Sequence, residues 1–352
     1  MGRGETAGGL GVAVIGCGYW GVNYLRLLRE LPEVGRVYAF DPRPERLEEV
    51  AERFLHVTAL ESFDAVLESS EVDAAIVCTP ATQHHEVAAP LLDAGKHLLI
   101  EKPITTKSDE ARQLIEQAES LGLTLTVGHT FLFNAGVRAV KSHIDAGNAG
   151  KIHYMYAQRT NLGPIRYDVN ALWDLAPHDV SIFNHLLDGE PEWVSAVGSR
   201  LLGSGRQDVG FATIGYDDGV IAHIHVSWAD PFKVRQAVIV GSEQRIVFND
   251  LSPSEPVTIY EKGVAPGTED VPTYGEYPLL IRDGDIISPK VAPSEPLKNQ
   301  TAHFLDVLAN GADPISDGWV GLKVVEVMEA IDRSIELNGA PVPVGRRNGG
   351  TI

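Results

Sequence analysis

Apolar and polar positions alternate in two different rhythms along the chain. Over the first 127 residues short apolar runs are separated by stretches with helical spacing. Leu10–Gly16 is a β-rich run that ends in glycine, and Gly21–Glu30 then places Tyr24, Leu25, Leu27 and Leu28 on one helical face. Val37–Phe40 is apolar again and is followed by a charged helical pattern over Pro44–Phe54. Ala74–Cys78, Leu98–Ile100 and Leu123–Val127 read as further buried strands, with helical patterns at Gln83–Ala94 and Ser108–Leu121 between them. Ser108, followed by Asp109 and Glu110, is a good helix start, because acids suit the positive end of a helix. Strands that alternate with helices predict an α/β domain, a doubly wound parallel sheet of Rossmann type.

After residue 128 the rhythm changes. Lys151–Thr160, Glu192–Arg200, Gly210–Tyr216, Val220–Trp228, Ala237–Val240 and Gln244–Phe248 read as strands, mostly joined by turns such as Asp217-Asp218-Gly219. That pattern predicts an α+β domain with an open, mostly antiparallel sheet. One amphipathic helix, Ala171–Leu187, interrupts it, and helical patterns at Lys298–Ala309 and Val320–Leu337 close the chain. Ser252–Pro296, rich in Pro, Gly and charge, is expected to be irregular surface. The expected division is residues 1–127 as a dinucleotide-binding domain and residues 128–352 as a domain for substrate and oligomerisation.

Composition narrows the function classes. The 352 residues allow two domains with a core each, and 44% hydrophobic with 22% charged residues excludes a disordered chain. A net charge of −19 repels phosphate backbones and anionic lipid, so neither nucleic acid nor membrane is an expected partner. Two cysteines, Cys17 and Cys78, provide neither a disulfide framework nor a zinc cluster. His223 and His225 share one face of a strand but have no third ligand spaced to help, so no metal is expected. With no long apolar segment and a polar N-terminus, the expected location is the cytoplasm.

Gly16-Cys17-Gly18-Tyr19-Trp20-Gly21 is a G-x-G-x-x-G motif that follows an apolar strand and opens a helix. In that context Gly16 allows the tight turn, Gly18 lets backbone approach a pyrophosphate, and Gly21 lets helix and strand pack closely. Asp41 lies 25 residues after Gly16, directly after an apolar strand, where a carboxylate would bind adenosine ribose hydroxyls. An acid there repels a 2′-phosphate and favours NAD over NADP, and Arg43 sits close enough to soften the preference. Lys102, at the carboxyl end of a strand, falls where ligands bind in open α/β sheets. Asp174 and His178 are four apart and share one helical face. Oxidising a secondary alcohol needs a group to take the hydroxyl proton while hydride leaves carbon, and a histidine titrates in the right range.

Glu101-Lys102-Pro103, with Thr79-Pro80 and His84 upstream and Asp174-Leu175-Ala176-Pro177-His178 downstream, resembles the glucose–fructose oxidoreductase / inositol dehydrogenase (Gfo/Idh/MocA) family. The resemblance covers essentially the whole chain. It implies that Lys102 and His178 work as a pair, either serving as formal base. It also implies that Asp174 orients the histidine or binds a substrate hydroxyl, and that Thr79, Pro80, His84 and Glu101 lie at the cofactor. Phe131, Phe133 and Asn134 follow the last Rossmann strand, a segment the family places near substrate, with aromatic core an equal reading.

The run from Arg159 to Trp173 is dense in hydrogen-bonding side chains, among them Arg159, Arg166, Asp168, Asn170 and Trp173. Arginine suits bidentate binding of phosphate or carboxylate. The run resembles the nucleotide-sugar 3-dehydrogenase branch, which implies oxidation, or its reverse, at C3 of a UDP-N-acetylglucosamine-type sugar. A free amino sugar, aminoglycoside or cyclitol is the alternative substrate. An NAD-dependent glycosidase and a non-catalytic sensor are alternatives of another class. The family further implies a homodimer or homotetramer.

Overall fold

The computed structural model describes residues 9–345 except 164, 167, 204 and 267–278, without the side chains of 264–266 and 279–282. The chain divides into two compact units, Met1–Thr130 with Glu295–Val325, and Phe131–Ser294 with Glu326–Ile352.

In the first unit, strands β1 (Leu10–Ile15), β2 (Val34–Phe40), β3 (Val57–Ala59), β4 (Ala74–Val77), β5 (His97–Glu101) and β6 (Leu125–Gly128) form one sheet. Its order is β3-β2-β1-β4-β5-β6 and every pairing is parallel. The crossovers contain helices α1 (Gly21–Leu28), α2 (Pro44–Arg53), α3 (Phe63–Glu68), α4 (His84–Asp93) and α5 (Ser108–Leu121). Strands β1 and β4 are buried almost throughout, which explains their unbroken apolar runs. The strand order reverses between β1 and β4, so the crevice for a dinucleotide opens beyond the carboxyl ends of these two strands.

One departure from the chain-order reading lies in this unit. Helix α8 (Pro296–Asn310), expected in the second domain, belongs to the first unit. The reason is packing: its Leu297, Phe304 and Leu305 share a core cluster with Tyr24, Leu25 and Leu28 of α1. Short β3 and α3 also went unrecognised, each having too few residues to show a period.

The second unit contains α6 (Ala135–Asp145), β7 (Ile152–Leu162), α7 (Ala171–Leu187), β8 (Pro191–Ser199), β9 (Val209–Tyr216), β10 (Ile221–Ser227), β11 (Ala229–Gly241), β12 (Arg245–Asn249) and β13 (Val257–Tyr260). Then follow β14 (Gly263–Pro266), β15 (Leu279–Arg282), β16 (Ile286–Ile287) and β17 (Val342–Pro343). Helix α9 (Gly318–Glu336) contributes residues to both units. The main sheet runs β16-β13-β12-β11-β7-β10-β9-β8-β17, antiparallel except for the β7–β10 pair. Alternate residues of β10, Ala222, Ile224 and Val226, are buried, while Ile221 and His223 on the opposite face are exposed. The stretch 252–296 is not irregular throughout as expected. It supplies β13, whose Val257 and Ile259 are buried, and β14, β15 and β16.

Candidate active site

The first unit carries the dinucleotide half. Gly16 has φ +93°, a left-handed backbone that favours glycine, and a Cβ there would lie 2.9 Å from the Cys78 backbone. A Cβ on Gly21 would fall 2.0 Å from the Gly16 carbonyl oxygen, which explains why helix α1 can start so close to β1. Gly18 differs: a Cβ there would meet nothing within 4 Å. The protein itself has no need of glycine at 18, so its bareness leaves room for a ligand against the start of α1. Tyr19 and Trp20 flank it and are exposed. The Thr79 hydroxyl, at the end of β4, is buried and has no hydrogen-bond partner among the described residues, as expected of a group meant for a bound molecule. Pro80 next to it is exposed. These features fit a dinucleotide.

Asp41 departs in detail from expectation. Its carboxylate is covered, accepting from Arg43 Nε at 2.8 Å and Nη2 at 2.9 Å and from the backbone N–H groups of Arg43 and Cys17. Burial pushes its carboxyl up, but the hydrogen bonds and charge of Arg43 and the Cys17 N–H outweigh that and hold it below the ordinary aspartate range. The Arg43 side chain is half exposed and can swing outward. Beyond Asp41 lies an open hollow lined by Phe40, Pro42, Leu47, Ala59 and Leu60.

His84 is held from both sides by backbone carbonyls. It is buried, with Nδ1 2.8 Å from the Pro103 carbonyl oxygen and Nε2 2.9 Å from that of Thr79. The imidazole thus ties the end of β4 to the turn after Lys102. Glu101 is also buried, its carboxylate accepting from Tyr24 Oη at 2.6 Å and from the Lys102 N–H at 3.1 Å. Lys102 is half-buried. His129, which follows β6, is completely buried and lies within the electrostatic reach of Lys102. Burial and that positive charge push its imidazole down to about 3.

The second unit holds the remaining residues named from the sequence. Helix α7 begins at the expected residue because Asn170 caps it, its side-chain oxygen accepting from the Trp173 N–H at 2.9 Å. Trp173 is buried and donates its indole N–H to Asp332 at 2.7 Å. Asp174 and His178 lie one helical turn apart, both half-buried. Asp174 accepts from Trp228 Nε1 and from Arg166 Nη1, each at 3.2 Å. The ring of Phe131 meets His178 edge-on, with centroids 5.0 Å apart. Phe133, expected at the substrate, is in the core instead.

The two arginines are both engaged by carboxylates. Arg159 is buried and pairs bidentately with Asp179, through Nε at 3.0 Å and Nη2 at 2.7 Å, with its guanidinium 4.3 Å from the centre of Phe131. It is a lock for α7, not an anion hook. Arg166, more exposed, bridges Asp168 and Asp174, and its hydrogen bonds hold the Asp168 carboxyl below the ordinary range. Sequence reasoning missed Trp228, His129, Tyr24 and Gln300. Trp228 had a visible signal, a bulky aromatic with one donor directly after a strand.

Among the described residues no group of three or more His, Cys, Asp or Glu is arranged to hold a metal, and no helix is long and apolar enough to cross a membrane. Comparison with known proteins adds to this geometry. Residues 10–129 match the model of an oxidoreductase family with an NAD-binding Rossmann fold, and residues 137–247 match the GFO/IDH/MocA C-terminal domain. A UDP-N-acetylglucosamine 3-dehydrogenase of Acidithiobacillus ferrooxidans is 27% identical over 92% of this chain and 96% of its own. Its solved structure superposes with a TM-score of 0.78, covering 93% and 98% of the two chains. A scyllo-inositol 2-dehydrogenase (NAD(+)) of Bacillus subtilis is 28% identical over 71% of this chain and 77% of its own. The structure of GenD2 from gentamicin A biosynthesis in complex with NAD gives a TM-score of 0.79 at 25% identity, covering 98% and 99%. Two consecutive domain matches, in the order in which the two folded units occur, make this chain an oxidoreductase of the Gfo/Idh/MocA family.

Proposed function

We propose that the protein is an NAD-dependent dehydrogenase that oxidises a secondary hydroxyl, at C3, of a UDP-N-acetylglucosamine-type nucleotide sugar, or reduces the corresponding ketone. The observation that carries the reading is helix α7, which presents Asp174 and His178 on one face with Asp174 held by two donors. The His178 imidazole takes the hydroxyl proton. Asp174, held by two donors one turn earlier, orients the face on which the imidazole works. The Lys102 ammonium hydrogen-bonds the substrate oxygen and stabilises the negative charge that develops there. When bound, the nicotinamide accepts the hydride that leaves carbon, so hydroxyl becomes carbonyl. The Gly16–Gly18 turn with the start of α1 would hold the pyrophosphate, Asp41 would serve the adenosine ribose, and the Thr79 hydroxyl would offer a further polar contact to the cofactor.

A specific observation favours a second substrate. Neither Arg159 nor Arg166 has a guanidinium without a carboxylate, so the loop offers no arginine clamp already waiting for a diphosphate. A free amino sugar or aminoglycoside needs no such clamp, and its ammonium would compete with Arg166 for Asp168 and Asp174. The resemblance to a protein of gentamicin A biosynthesis points the same way.

The test is reduced-nicotinamide absorbance with UDP- and TDP-sugars, free amino sugars and inositols in turn. Turnover of nucleotide sugars alone supports the first reading and turnover of free amino sugars alone the second; Lys102→Ala should lose roughly 10²–10⁴-fold in either case. Near-normal turnover in that variant refutes the role given to Lys102. The same proposal includes a cytoplasmic homodimer or homotetramer. It would use the sheet face on which Tyr154, Ile221, Phe211 and Val197 are exposed, and light scattering that returns a monomer refutes it.

A further inference from the structure

The first unit contains a buried polar chain that the proposed chemistry does not employ. Gln300 Nε2 on α8 donates to Tyr24 Oη at 2.7 Å, and Tyr24 Oη donates to Glu101 Oε1 at 2.6 Å. Glu101 Oε2 accepts the Lys102 backbone N–H at 3.1 Å. All three side chains are buried: Tyr24 is 0%, Gln300 2% and Glu101 7% exposed. Direction matters here. A phenol has a single hydrogen. With its oxygen already accepting from the glutamine amide, that hydrogen is aimed at Glu101, so the carboxylate meets donors on both oxygens. On the β6 side the wall is tight, since a Cβ on Gly128 would lie 3.2 Å from the Glu101 carboxyl.

Burying an ionised carboxylate costs several kcal/mol, and an apolar side chain of the same volume is often as stable or more so. The chain therefore accomplishes something other than stability, and the neighbour of the charge is Lys102. We infer that Tyr24 and Gln300 are positioning residues that keep Glu101 ionised, and that the Glu101 anion in turn keeps Lys102 a cation and fixes its backbone. The inference deepens the proposed role of Lys102 and rests on it only for its functional meaning. It divides the proton work, assigning Lys102 the charge and leaving His178 as the base. The titratable groups packed around Glu101 are Tyr24 from α1, Cys78 after β4 and Lys102 itself. Burial holds the Glu101 carboxyl above the ordinary glutamate range, and the Tyr24 hydrogen bond with the Lys102 charge and N–H limits that rise.

The experiment uses the full-length protein without any sugar. Infrared spectra against pH follow the carbonyl stretch of a protonated carboxylic acid, assigned to Glu101 by its loss in Glu101→Gln. In Tyr24→Phe that band should appear at a pH at least one unit higher than in the wild type, a tenfold gain in proton affinity. Gln300→Leu, which frees the phenol to rotate, should move it the same way and stands in if Tyr24→Phe does not fold. The second readout is the ¹³C titration of reductively dimethylated Lys102, assigned by its absence in Lys102→Arg. Glu101→Gln should lower its midpoint by about one unit or more. Unchanged Glu101 protonation in both Tyr24→Phe and Gln300→Leu overturns the inference, as does an unchanged Lys102 midpoint in Glu101→Gln. If both shifts occur but no sugar is turned over, the inference stands and the dehydrogenase proposal falls.

Discussion

His129 makes the acid stability of the first unit a quantitative question. Its ring is completely buried, and neither nitrogen has a hydrogen-bond partner among the described residues. Burial, reinforced by the positive Lys102, lowers its proton affinity from the ordinary 6.5 to about 3. The folded chain therefore keeps this imidazole neutral at pH values where the unfolded chain has already taken a proton. Its contribution to stability is fully present above about 6.5 and is lost as pH falls toward 3. At pH 5 the unfolded form gains a protonation factor of roughly 30 and the folded form almost none, a loss of about 2 kcal/mol, rising to about 4 kcal/mol at pH 3, where the folded form is itself half protonated. His129→Leu cannot titrate. The difference in unfolding free energy between pH 8 and pH 5 should thus be about 2 kcal/mol smaller in the variant than in the wild type, the other titrating groups being common to both. Urea unfolding followed by circular dichroism gives the profiles, and hydrogen exchange at the β6 amides reports on the unit that holds the residue. Parallel pH profiles for the two proteins would refute the reasoning and show that His129 finds a proton-accepting partner in solution.

Three further outcomes follow from the geometry. Burial, with Asp41 alongside, pushes the Cys17 thiol up to about 12, so at pH 8 only about one molecule in 10⁴ carries the thiolate. Native protein should resist iodoacetamide at that position by mass spectrometry, and rapid labelling would contradict the burial argument. Arg159→Leu leaves Asp179 buried without its partner and should cost roughly 3–5 kcal/mol in urea unfolding, most of it recovered when Asp179 is also made Leu. A small cost for the single variant would mean that the arginine is not the lock described. Asn170→Ala removes the cap of α7 and should cost about 1 kcal/mol, read as a lower urea midpoint.

Much of the fold was legible in the linear pattern because each element carries its own period. Parallel strands buried on both faces appear as unbroken apolar runs, and the glycine motif has meaning only between such a strand and a helix. Helix α7 was legible from its amphipathic spacing, whereas its Asn170 cap and the left-handed Asp188 after its last turn are seen only in the structure. Gly16 and Gly18 could be named for the same local reason, and Lys102, Asp174 and His178 from the motifs that resemble the family. Other assignments depended on partners far away in the chain. Whether an arginine faces ligand or locks a helix is decided by Asp179 for Arg159 and by Asp168 and Asp174 for Arg166. His84 could be named from its motif, but not the carbonyls of Thr79 and Pro103 that close around its imidazole. The membership of α8 in the first unit, and with it the Gln300–Tyr24–Glu101 chain, links residues 276 apart in sequence. Periodicity and turn chemistry are local and survive in one dimension. The ionisation and orientation of a side chain are set by whichever charges and donors folding brings against it, and only the tertiary structure decides those.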